Sequence, residues 1–311
     1  MKKLIVLILF FLISSCNEDD TEILLSARND EGIVLNIPLS GSLQNPTFAP
    51  NGATILFTRF INGYNQEPAE LYKYNLVTET LTLLMSDGSG NVNLPGSSWN
   101  DEINAIIFSS SREPHDEIYL ITEFGSTGDE VQITDREDKV AYEPTLSPDG
   151  LWTVFESHNL DQEDNGIITK YKIDGTSEYI ELTDNLEDCR QPNWSPENDK
   201  ILYQKFKNGQ WDIWLMNSDG EEHIQLTSGE GDKTDASFSA DGQFIIYSSD
   251  FETELSNIYR ITVDGGNPFK LTDYIGYDGA PSTSLDNKLI FESSLDNPDN
   301  SEGTKIILLN L

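Results

Sequence analysis

The chain has 311 residues, and its 54 acidic side chains outnumber 19 lysines and arginines, which gives a net charge of −35 at pH 7. This excess of negative charge argues against binding to nucleic acid or adsorption to anionic lipid headgroups. It favours cations or basic partners, although an acidic surface can also serve only to keep an exported protein soluble.

The first residues form the pattern of a bacterial export signal. Met1-Lys2-Lys3 is a basic start, and Leu4–Ile13 is an apolar run that is too short to span a bilayer. The following Ser14-Ser15-Cys16 resembles a bacterial lipobox, in which the cysteine is diacylated and becomes the new N-terminus. We therefore expect a signal peptide over residues 1–15 and lipidation of Cys16. The alternative is an ordinary secretory signal that happens to contain a cysteine.

Residues 16–31 are predicted to form a lipidated acidic tether. Asn17-Glu18-Asp19-Asp20 follows the acylated cysteine, and it resembles the acidic export tag of some Gram-negative lipoproteins that are displayed on the outer leaflet. The sequence leaves open whether the protein faces the periplasm or the cell surface from the outer membrane. Once Cys16 is lipidated, Cys189 is the single remaining thiol, so we expect no intramolecular disulfide.

Beyond the tether the chain repeats itself. Six segments can be aligned on one position, and the spacing between these positions is roughly 44–51 residues, a period typical of propellers and solenoids. The aligned positions are Phe48, Trp99, Leu146, Trp194, Phe238 and Thr283. Because aromatic residues recur at this position, we predict that they form the core between repeats.

Each repeat predicts four short strands. A turn such as Ser147-Pro148-Asp149-Gly150 joins the first strand to a largely apolar second strand. A third strand follows a loop of variable length, and the fourth strand ends in a recurring pair such as Leu182-Thr183. Four antiparallel strands per repeat are typical of a propeller blade and less usual in solenoids. The predicted fold is an all-β, six-bladed β-propeller of four-stranded antiparallel blades over residues 32–311.

The last repeat indicates how the ring closes. It stops in its third strand at Leu311, whereas the apolar segment Gly32–Leu39 precedes the first repeat and has no hairpin partner of its own. We therefore predict that Gly32–Leu39 supplies the outer strand of the sixth blade, since closure removes the unpaired edges of an open sheet. Glu22–Ala27 is a further candidate strand with an ambiguous role.

These motifs resemble those of the TolB-type, WD-repeat-like propeller family. The resemblance rests on Pro-x-Trp-Ser-Pro at 192–196, on the Ser-Pro-Asp-Gly turn at 147–150 and on the terminal Leu-Thr pairs, and it spans about residues 33–311. It implies the propeller fold and the family's habit of binding other proteins. TolB itself has an additional N-terminal α/β domain, for which we expect no room in this chain. The resemblance therefore implies a TolB-like propeller lipoprotein.

The sequence predicts a protein that is not an enzyme. The nucleophile motif Gly-x-Ser-x-Gly does not occur in the chain, and no hydrolase domain is expected after the propeller. TolB-like propellers that act as pectate-type lyases hold a metal through several channel histidines. Here His115, His158 and His223 fall in different blades and at different levels, which departs from that arrangement.

Two acidic loops are weak candidates for calcium, the single cofactor that the sequence suggests. Asp161 and Asp164 in one loop, and Asp296 and Asp299 in another, place oxygen ligands at the close spacing that suits a hard cation. Neither loop matches the pattern of a helix-loop-helix calcium site. The alternative is that both loops are solvated and bind no metal.

The best candidate for a recognition site is the rim of the central channel. Loops between blades lead into the inner strands, so we expect their last residues to reach this rim. These residues form a mainly acidic and amide set, suited to a basic or polar ligand: Tyr142, Glu143, Arg190, Gln191, Asp235 and Asp278. Aromatic residues predicted on the same loop face either stack sugars, anchor a peptide or cover their own blade edges. They are Phe60, Tyr64, Tyr142, Trp211, Tyr274 and Tyr277.

Two functions fit these features. The first is a non-catalytic, monomeric propeller, lipid-anchored to the bacterial outer membrane, that binds another envelope protein or a basic peptide through its acidic loop face. The second is a glycan-binding or glycan-degrading envelope protein, in which a pair such as Glu143 and Asp235 acts as acid and base. A deep channel with converging, perturbed carboxylates favours the enzyme, and a shallow loop face favours the scaffold.

Overall fold

The computed structural model describes residues 32–86, 92–93, 98–112, 114–122, 129–160, 162–176, 178–252, 254–295, 297 and 303–311. The predicted signal peptide, Cys16, the tether and the strand at Glu22–Ala27 lie outside these residues. Within them, the strands form six separate antiparallel sheets, so the prediction of an all-β, six-bladed propeller is confirmed. None of the residues listed above belongs to a helix with the length and apolarity that crossing a membrane requires.

The blades follow one another along the chain. Blade 1 contains β2 (Ser42–Phe48), β3 (Thr54–Phe60), β4 (Ala69–Asn75) and β5 (Thr80–Met85). Blade 2 contains β6 (Val92–Asn93), β7 (Trp99–Asn100), β8 (Ala105–Ser110), β9 (Glu117–Thr122) and β10 (Val131–Gln132). Blade 3 contains β11 (Lys139–Leu146), β12 (Trp152–Asn159), β13 (Gln162–Lys172) and β14 (Ile180–Glu181). Blade 4 contains β15 (Cys189–Trp194), β16 (Lys200–Lys207), β17 (Gln210–Asn217) and β18 (Ile224–Gln225). Blade 5 contains β19 (Lys233–Phe238), β20 (Phe244–Ser249), β21 (Asn257–Thr262) and β22 (Phe269–Lys270). Blade 6 contains β23 (Asp278–Thr283), β24 (Lys288–Ser293) and β25 (Lys305–Asn310), completed by β1 (Ile33–Val34).

Blade 2 is the exception to the four-stranded pattern. Its inner edge is divided between β6 and β7, which both pair with β8. The other five blades have four antiparallel strands in a row from the channel outward, which are consecutive in the chain in all but blade 6.

The two ends of the described chain meet in blade 6, as the sequence predicted. Ile33 pairs with Leu308 and Val34 with Ile307, so β1 forms the outer edge beside β25. The Leu35 amide continues this ladder by donating to the Ile306 carbonyl at 2.9 Å. On the inner side, the Thr304 hydroxyl donates to the carbonyl of Leu43 in β2 at 2.8 Å. The ring is therefore fastened at both its outer and its inner edge.

The core lies between the blades. Six hydrophobic clusters are found among the described residues, and each joins two neighbouring blades. Both faces of a blade are thus covered by other blades, which explains why the second strands read as nearly unbroken apolar runs. Ile55, Leu56 and Phe57 of β3 are all fully buried, for example. Trp194 and Phe238 belong to these clusters, and Trp99 packs against one of them while remaining partly exposed.

The recurring threonine has a structural reason. In four blades its hydroxyl accepts a hydrogen bond from an amide of the third strand, at 2.8–2.9 Å. The threonines are Thr134, Thr183, Thr227 and Thr272, and each caps the end of a short outer strand. The hydroxyl thus replaces a backbone partner where the ladder stops.

The turn at residues 147–150 requires its glycine. Gly150 has a φ of +67°, and a Cβ placed on it would lie 2.5 Å from the Ile103 side chain of blade 2. The Ser147 hydroxyl accepts from the Trp152 amide at 2.9 Å and donates to Asp149 at 2.5 Å. This turn therefore both reverses the chain and fits against the neighbouring blade.

Candidate functional site

A bulge interrupts the inner strand at the same level in five blades. The register shifts there by one residue, and the residue at the shift has a positive φ of 47–52°. These bulge residues are Asn45, Glu143, Gln191, Asp235 and Ala280. A positive φ is strained for residues other than glycine and is typical of functional sites. The bulges therefore define a ring at one mouth of the channel.

Gln191 connects three blades at this ring. Its side-chain amide nitrogen donates to Glu143 of blade 3 at 3.3 Å and to Asp235 of blade 5 at 3.1 Å. Its side-chain carbonyl accepts from the Asp235 amide at 3.0 Å. The structure thus brings together three of the six residues predicted for the rim. They lie inside the inner strands, and not at the ends of the loops that precede them.

Two further carboxylates lie behind the ring, on second strands. Glu156 of β12 accepts a hydrogen bond from the Gln191 amide at 2.9 Å, and Glu292 of β24 accepts from the Asn45 amide at 2.8 Å. Each carboxylate therefore binds a backbone amide that the bulge in the next blade has released from its ladder. Sequence reasoning missed both residues. The available signal was a carboxylate at the end of an otherwise apolar strand.

The environment of the carboxyl groups at this mouth disfavours their ionised form. Burial, and then repulsion by Glu156 and Asp235, raises the pKa of Glu143 well above its usual value. Burial raises the pKa of Glu292 to about 8, with repulsion from Asp235 adding to the effect. The nearby cation Arg190 is engaged elsewhere, since its guanidinium forms a bidentate pair with Asp188 at 2.9 and 2.7 Å. Glu143, Glu156, Asp235 and Glu292 are called the channel acids below.

Two tyrosines lie beside the channel acids. The Tyr277 hydroxyl donates to Asp235 at 3.3 Å, and its ring meets the Tyr64 ring edge-on, with 5.8 Å between centroids. Burial, followed by the charge of Glu292, raises the pKa of the Tyr64 hydroxyl, so this group stays protonated. Tyr64 comes from blade 1 and Tyr277 from the approach to blade 6. Both were predicted on the loop face, and both lie at this mouth.

Of the other predicted rim residues, Tyr142 lies opposite the channel acid Glu156 in the β11–β12 ladder, whereas Asp278 makes its side-chain contact with blade 5. Asp278 is fully buried, and its carboxylate accepts from Asn257 of blade 5 at 3.4 Å. Burial raises the pKa of Asp278 to about 6. It precedes the bulge residue Ala280 by two positions, so the expectation that it reaches the rim is wrong. The ring of Tyr142 contacts His158, with 5.8 Å between centroids.

The remaining three aromatic residues predicted on the loop face lie in three different places. Phe60 is the last residue of β3 and is buried, so its assignment to an exposed loop is wrong. Tyr274 packs on Phe291 of its own blade, at 6.2 Å between ring centroids. Trp211 lies in β17 beside Phe206, on the loop side of blade 4.

The calcium candidates lie largely outside the described residues. Asp161, Asp296 and Asp299 are not described, and Asp164 is described only as part of the backbone of β13. In the described ranges, no three histidine, cysteine or acidic side chains are grouped as metal ligands would be. His158 contacts Glu156 at 2.9 Å, and His223 contacts the Tyr203 hydroxyl at 2.8 Å.

The other end of the inner strands forms a different mouth. A cavity of about 420 Å³ opens there and is lined by residues from all six blades. Among them are the repeat positions Phe48, Trp99, Leu146, Trp194, Phe238 and Thr283. This end, which carries the four aromatic side chains Phe48, Trp99, Trp194 and Phe238, is called the aromatic mouth, and the end with the channel acids is called the acidic mouth.

Sequence comparisons place part of the chain beside known proteins. A family model described as the TolB beta propeller domain matches residues 176–302. An uncharacterized protein of Agrobacterium fabrum is 33% identical over 102 residues, which are 32% of this chain and 34% of that protein. The chain therefore matches about a third of the length of this curated relative.

Structural comparisons cover more of the chain. A structure described as TolB from Agrobacterium tumefaciens has a TM-score of 0.62 at 20% identity and covers 72% of this chain and 77% of that one. TolB from Acinetobacter baumannii has a TM-score of 0.63 at 16% identity, covering 85% of this chain and 65% of that one. Oligogalacturonate lyase from Vibrio parahaemolyticus has a TM-score of 0.54 at 14% identity, covering 87% and 90%. At these identities the likeness shows the fold.

Proposed function

We propose that this TolB-like six-bladed propeller is a non-catalytic binding protein whose channel acids receive a basic group of another protein or peptide. One arrangement carries the proposal: four carboxylates converge at one mouth, where the pKa values of Glu143 and Glu292 are raised and where Glu143 and Asp235 both accept from one N–H donor, the Gln191 side chain. Buried carboxyl groups with raised pKa values are stabilised by an incoming positive charge, which replaces the lost solvent and offsets their mutual repulsion.

The geometry of the mouth supports a single inserted side chain. Gln191 holds Glu143 and Asp235 at its two sides, so their oxygens lie within reach of one guanidinium or ammonium group. The rings of Tyr64 and Tyr277 add aromatic surface beside these acids. A cation above an aromatic ring gains further electrostatic attraction. An arginine or lysine from a partner satisfies both features.

The cellular setting of the proposal rests on the leader. With Cys16 acylated, the propeller is tethered to the outer membrane and meets other proteins of the bacterial envelope. Incorporation of labelled fatty acid into the wild-type protein, and its loss in Cys16→Ala, tests this part. Protease treatment of intact cells then separates the two faces: cleavage indicates the surface, and protection indicates the periplasm. Labelling that persists in Cys16→Ala contradicts the anchor.

The binding proposal is tested by neutralising the channel acids. Glu143→Gln with Asp235→Asn keeps the shapes of both side chains and removes two ionisable carboxyl groups. Capture of proteins from solubilised envelopes, and calorimetry with an oligo-arginine peptide, are compared for this variant and the wild type. We expect a loss of affinity of about tenfold or more, since removing one partner of a desolvated charge pair is costly. Asp264→Asn, at an exposed turn, is the matched control and should retain wild-type affinity. Equal affinities in all three proteins would place the binding site elsewhere.

Glycan degradation is the second candidate. The convergence of Glu143 and Asp235, with the pKa of Glu143 raised, is the feature expected of an acid and base pair. The Gln191 contacts count against it, because both carboxylates accept from an N–H donor there, as they would from a guanidinium or ammonium group, whereas general acid catalysis requires one of them to donate a proton to a substrate oxygen. Incubation with neutral and acidic polysaccharides, followed by a reducing-end or unsaturated-product assay, separates the two functions. Turnover that is lost in Glu143→Gln supports the enzyme.

A further inference from the structure

A cleft of about 600 Å³ lies between blades 3 and 4, outside the ring of channel acids. It is bounded by the loop before β15 and by the hairpin that joins β16 to β17. Leu186, on the first of these loops, is 81% exposed, so the cleft is an open surface feature. The residues that line this cleft differ in chemistry from those of the acidic mouth of the channel.

The floor of the cleft is an aromatic pair. Phe206 and Trp211 face each other across β16 and β17, with ring centroids 5.3 Å apart and planes tilted by 56°. Phe206 remains 42% exposed. The hairpin fixes this arrangement, because Asn208 and Gly209 have φ values of 56° and 89°, as a tight two-residue turn requires. The two rings therefore form a rigid platform that is already open to a ligand.

Fixed polar groups stand at the edge of the platform. Arg190 holds both oxygens of Asp188, and its guanidinium lies 5.4 Å from the Trp211 ring. The Asp188 carboxylate also accepts from the Gly166 amide at 2.7 Å. Gly166 permits this approach, since a Cβ there would lie 2.6 Å from the Cys189 carbonyl. Donor and acceptor groups are thus oriented beside the rings before any ligand arrives.

The charges of the cleft are balanced. Glu187 and Asp188 are opposed by Arg190 and Lys207, in a chain whose overall net charge is −35. Lys207 lies 3.4 Å from Glu187, and Arg190 is paired with Asp188. A charged ligand gains little from such a surface, whereas an uncharged polar ligand meets both hydrogen-bond donors and acceptors.

We propose that this cleft binds a neutral saccharide. One face of a pyranose ring carries C–H groups that pack on an aromatic ring, whose face is electron-rich. Its hydroxyl groups both donate and accept, which matches Asp188, Arg190 and the amide of Asn208 around the platform. A peptide anchor needs an enclosed, desolvated pocket, and this platform lies open. The site is separate from the proposed peptide site, so either stands if the other fails.

The test uses soluble neutral glycans as probes: hexamers of glucose in α-1,4, β-1,4 and β-1,3 linkage, chitohexaose and mannohexaose, each titrated by calorimetry. We expect at least one to bind, and Trp211→Ala to weaken that affinity by about tenfold or more, a loss comparable to that seen when a ring stacked on a nucleic-acid base is removed. Trp211→Tyr should retain most of the affinity because it restores a ring. Phe206→Ala, at the more exposed ring, gives a second reading if Trp211→Ala folds poorly.

Matched controls separate the outcomes. Phe251→Ala removes another aromatic side chain, 40% exposed and outside the cleft, and should leave glycan affinity unchanged. Glu143→Gln with Asp235→Asn should also leave it unchanged, whatever this variant does to peptide binding. The proposal is overturned if none of the glycans binds, or if both ring variants bind as the wild type does. It is equally overturned if Trp211→Ala abolishes capture of an envelope protein while glycan affinity is unaffected.

Discussion

The two mouths of the channel differ in how they relate to the repeats. The aromatic mouth is built from positions at which the repeats agree, such as Phe48, Trp194 and Phe238. The acidic mouth is built from positions at which they disagree, where one structural place holds Asn45, Glu143, Gln191, Asp235 or Ala280. Agreement between repeats therefore marks residues that hold the blades together. Disagreement at a shared backbone feature marks residues that are available for recognition.

The largest effect is expected at a position of agreement. Trp194 is 6% exposed and packs in the cluster between blades 3 and 4. Trp194→Ala should lower the free energy of unfolding by about 3–5 kcal/mol, because a large buried ring leaves a cavity. Urea denaturation measures this change. Trp211→Ala removes the same side chain from a partly exposed site and should have a much smaller effect. Similar losses of unfolding free energy in the two variants would contradict the distinction between a core position that the repeats share and a partly exposed position.

Removing a channel acid should have the opposite sign. Glu292→Gln keeps an acceptor for the Asn45 amide and removes a buried ionisable group. The gain in unfolding free energy should grow between pH 5 and pH 8, reaching on the order of 3 kcal/mol, because over this range the unfolded wild-type chain ionises Glu292 while the folded protein keeps it protonated. Denaturation at both pH values checks this. A gain that is equal at pH 5 and pH 8 would contradict the raised pKa.

The wild-type protein should show the same linkage. The pKa of Glu292 lies at about 8 in the folded state, above its ordinary value of 4.5. The folded state therefore binds more protons than the unfolded state between these values, and stability falls as pH rises through this window. The midpoint temperature of thermal unfolding should decrease from pH 5 to pH 8, and this decrease should be smaller in Glu292→Gln. A midpoint that rises over this range would contradict the account.

A capping threonine should give an intermediate effect. The Thr227 hydroxyl accepts from the Ile213 amide at 2.8 Å and donates to Asp212 at 3.0 Å. Thr227→Val leaves the buried Ile213 amide without its acceptor, while Asp212 keeps Gln210, Gln225 and Lys233, and should cost about 1–3 kcal/mol of unfolding free energy. Thr227→Ser retains the hydroxyl and is the control. Equal stability of the two variants would mean that the hydroxyl does not cap the strand.

The smallest effect is expected at the edge of the acidic mouth. Tyr277→Phe removes a long hydrogen bond to Asp235, which keeps its contacts with Gln191 and the Ser248 hydroxyl, and also removes the hydroxyl's contacts with Glu292 and Tyr64. The loss of unfolding free energy should stay below about 1 kcal/mol. Affinity for an oligo-arginine peptide should be retained, because the ring remains beside the acids. A tenfold loss of that affinity would show that the hydroxyl itself takes part in binding.

The fold could be predicted from the sequence because the features that determine it are local and recur from repeat to repeat. Turn residues such as those at 147–150 and the apolar second strands recur in most repeats, and the closure by Gly32–Leu39 followed from an incomplete last repeat. The candidate site could be predicted only in part. A bulge adds one residue to a strand and reverses the alternation beyond it, so sequence alone does not show which neighbour faces the channel.

For several residues, the orientation of the side chain or its role could not be predicted from the sequence. Gln191 faces the channel, whereas Arg190 beside it turns to Asp188 and Trp211. Glu156 and Glu292 were missed because their role depends on amides that the next blade presents. Asp278 was placed at the rim by its position after a loop, but the start of β23 buries it between blades. Each of these outcomes depends on contacts between blades.

The most direct measurement of the proposed cation site is proton release on binding. Calorimetry with an oligo-arginine peptide at pH 7, repeated in buffers of different ionisation enthalpy, counts the protons exchanged per complex. A positive group beside the channel acids lowers their pKa values, so we predict that about one proton is released, mainly from Glu292, which is largely protonated at this pH. Binding without proton release, or with proton uptake, would contradict a cation seated among these carboxylates.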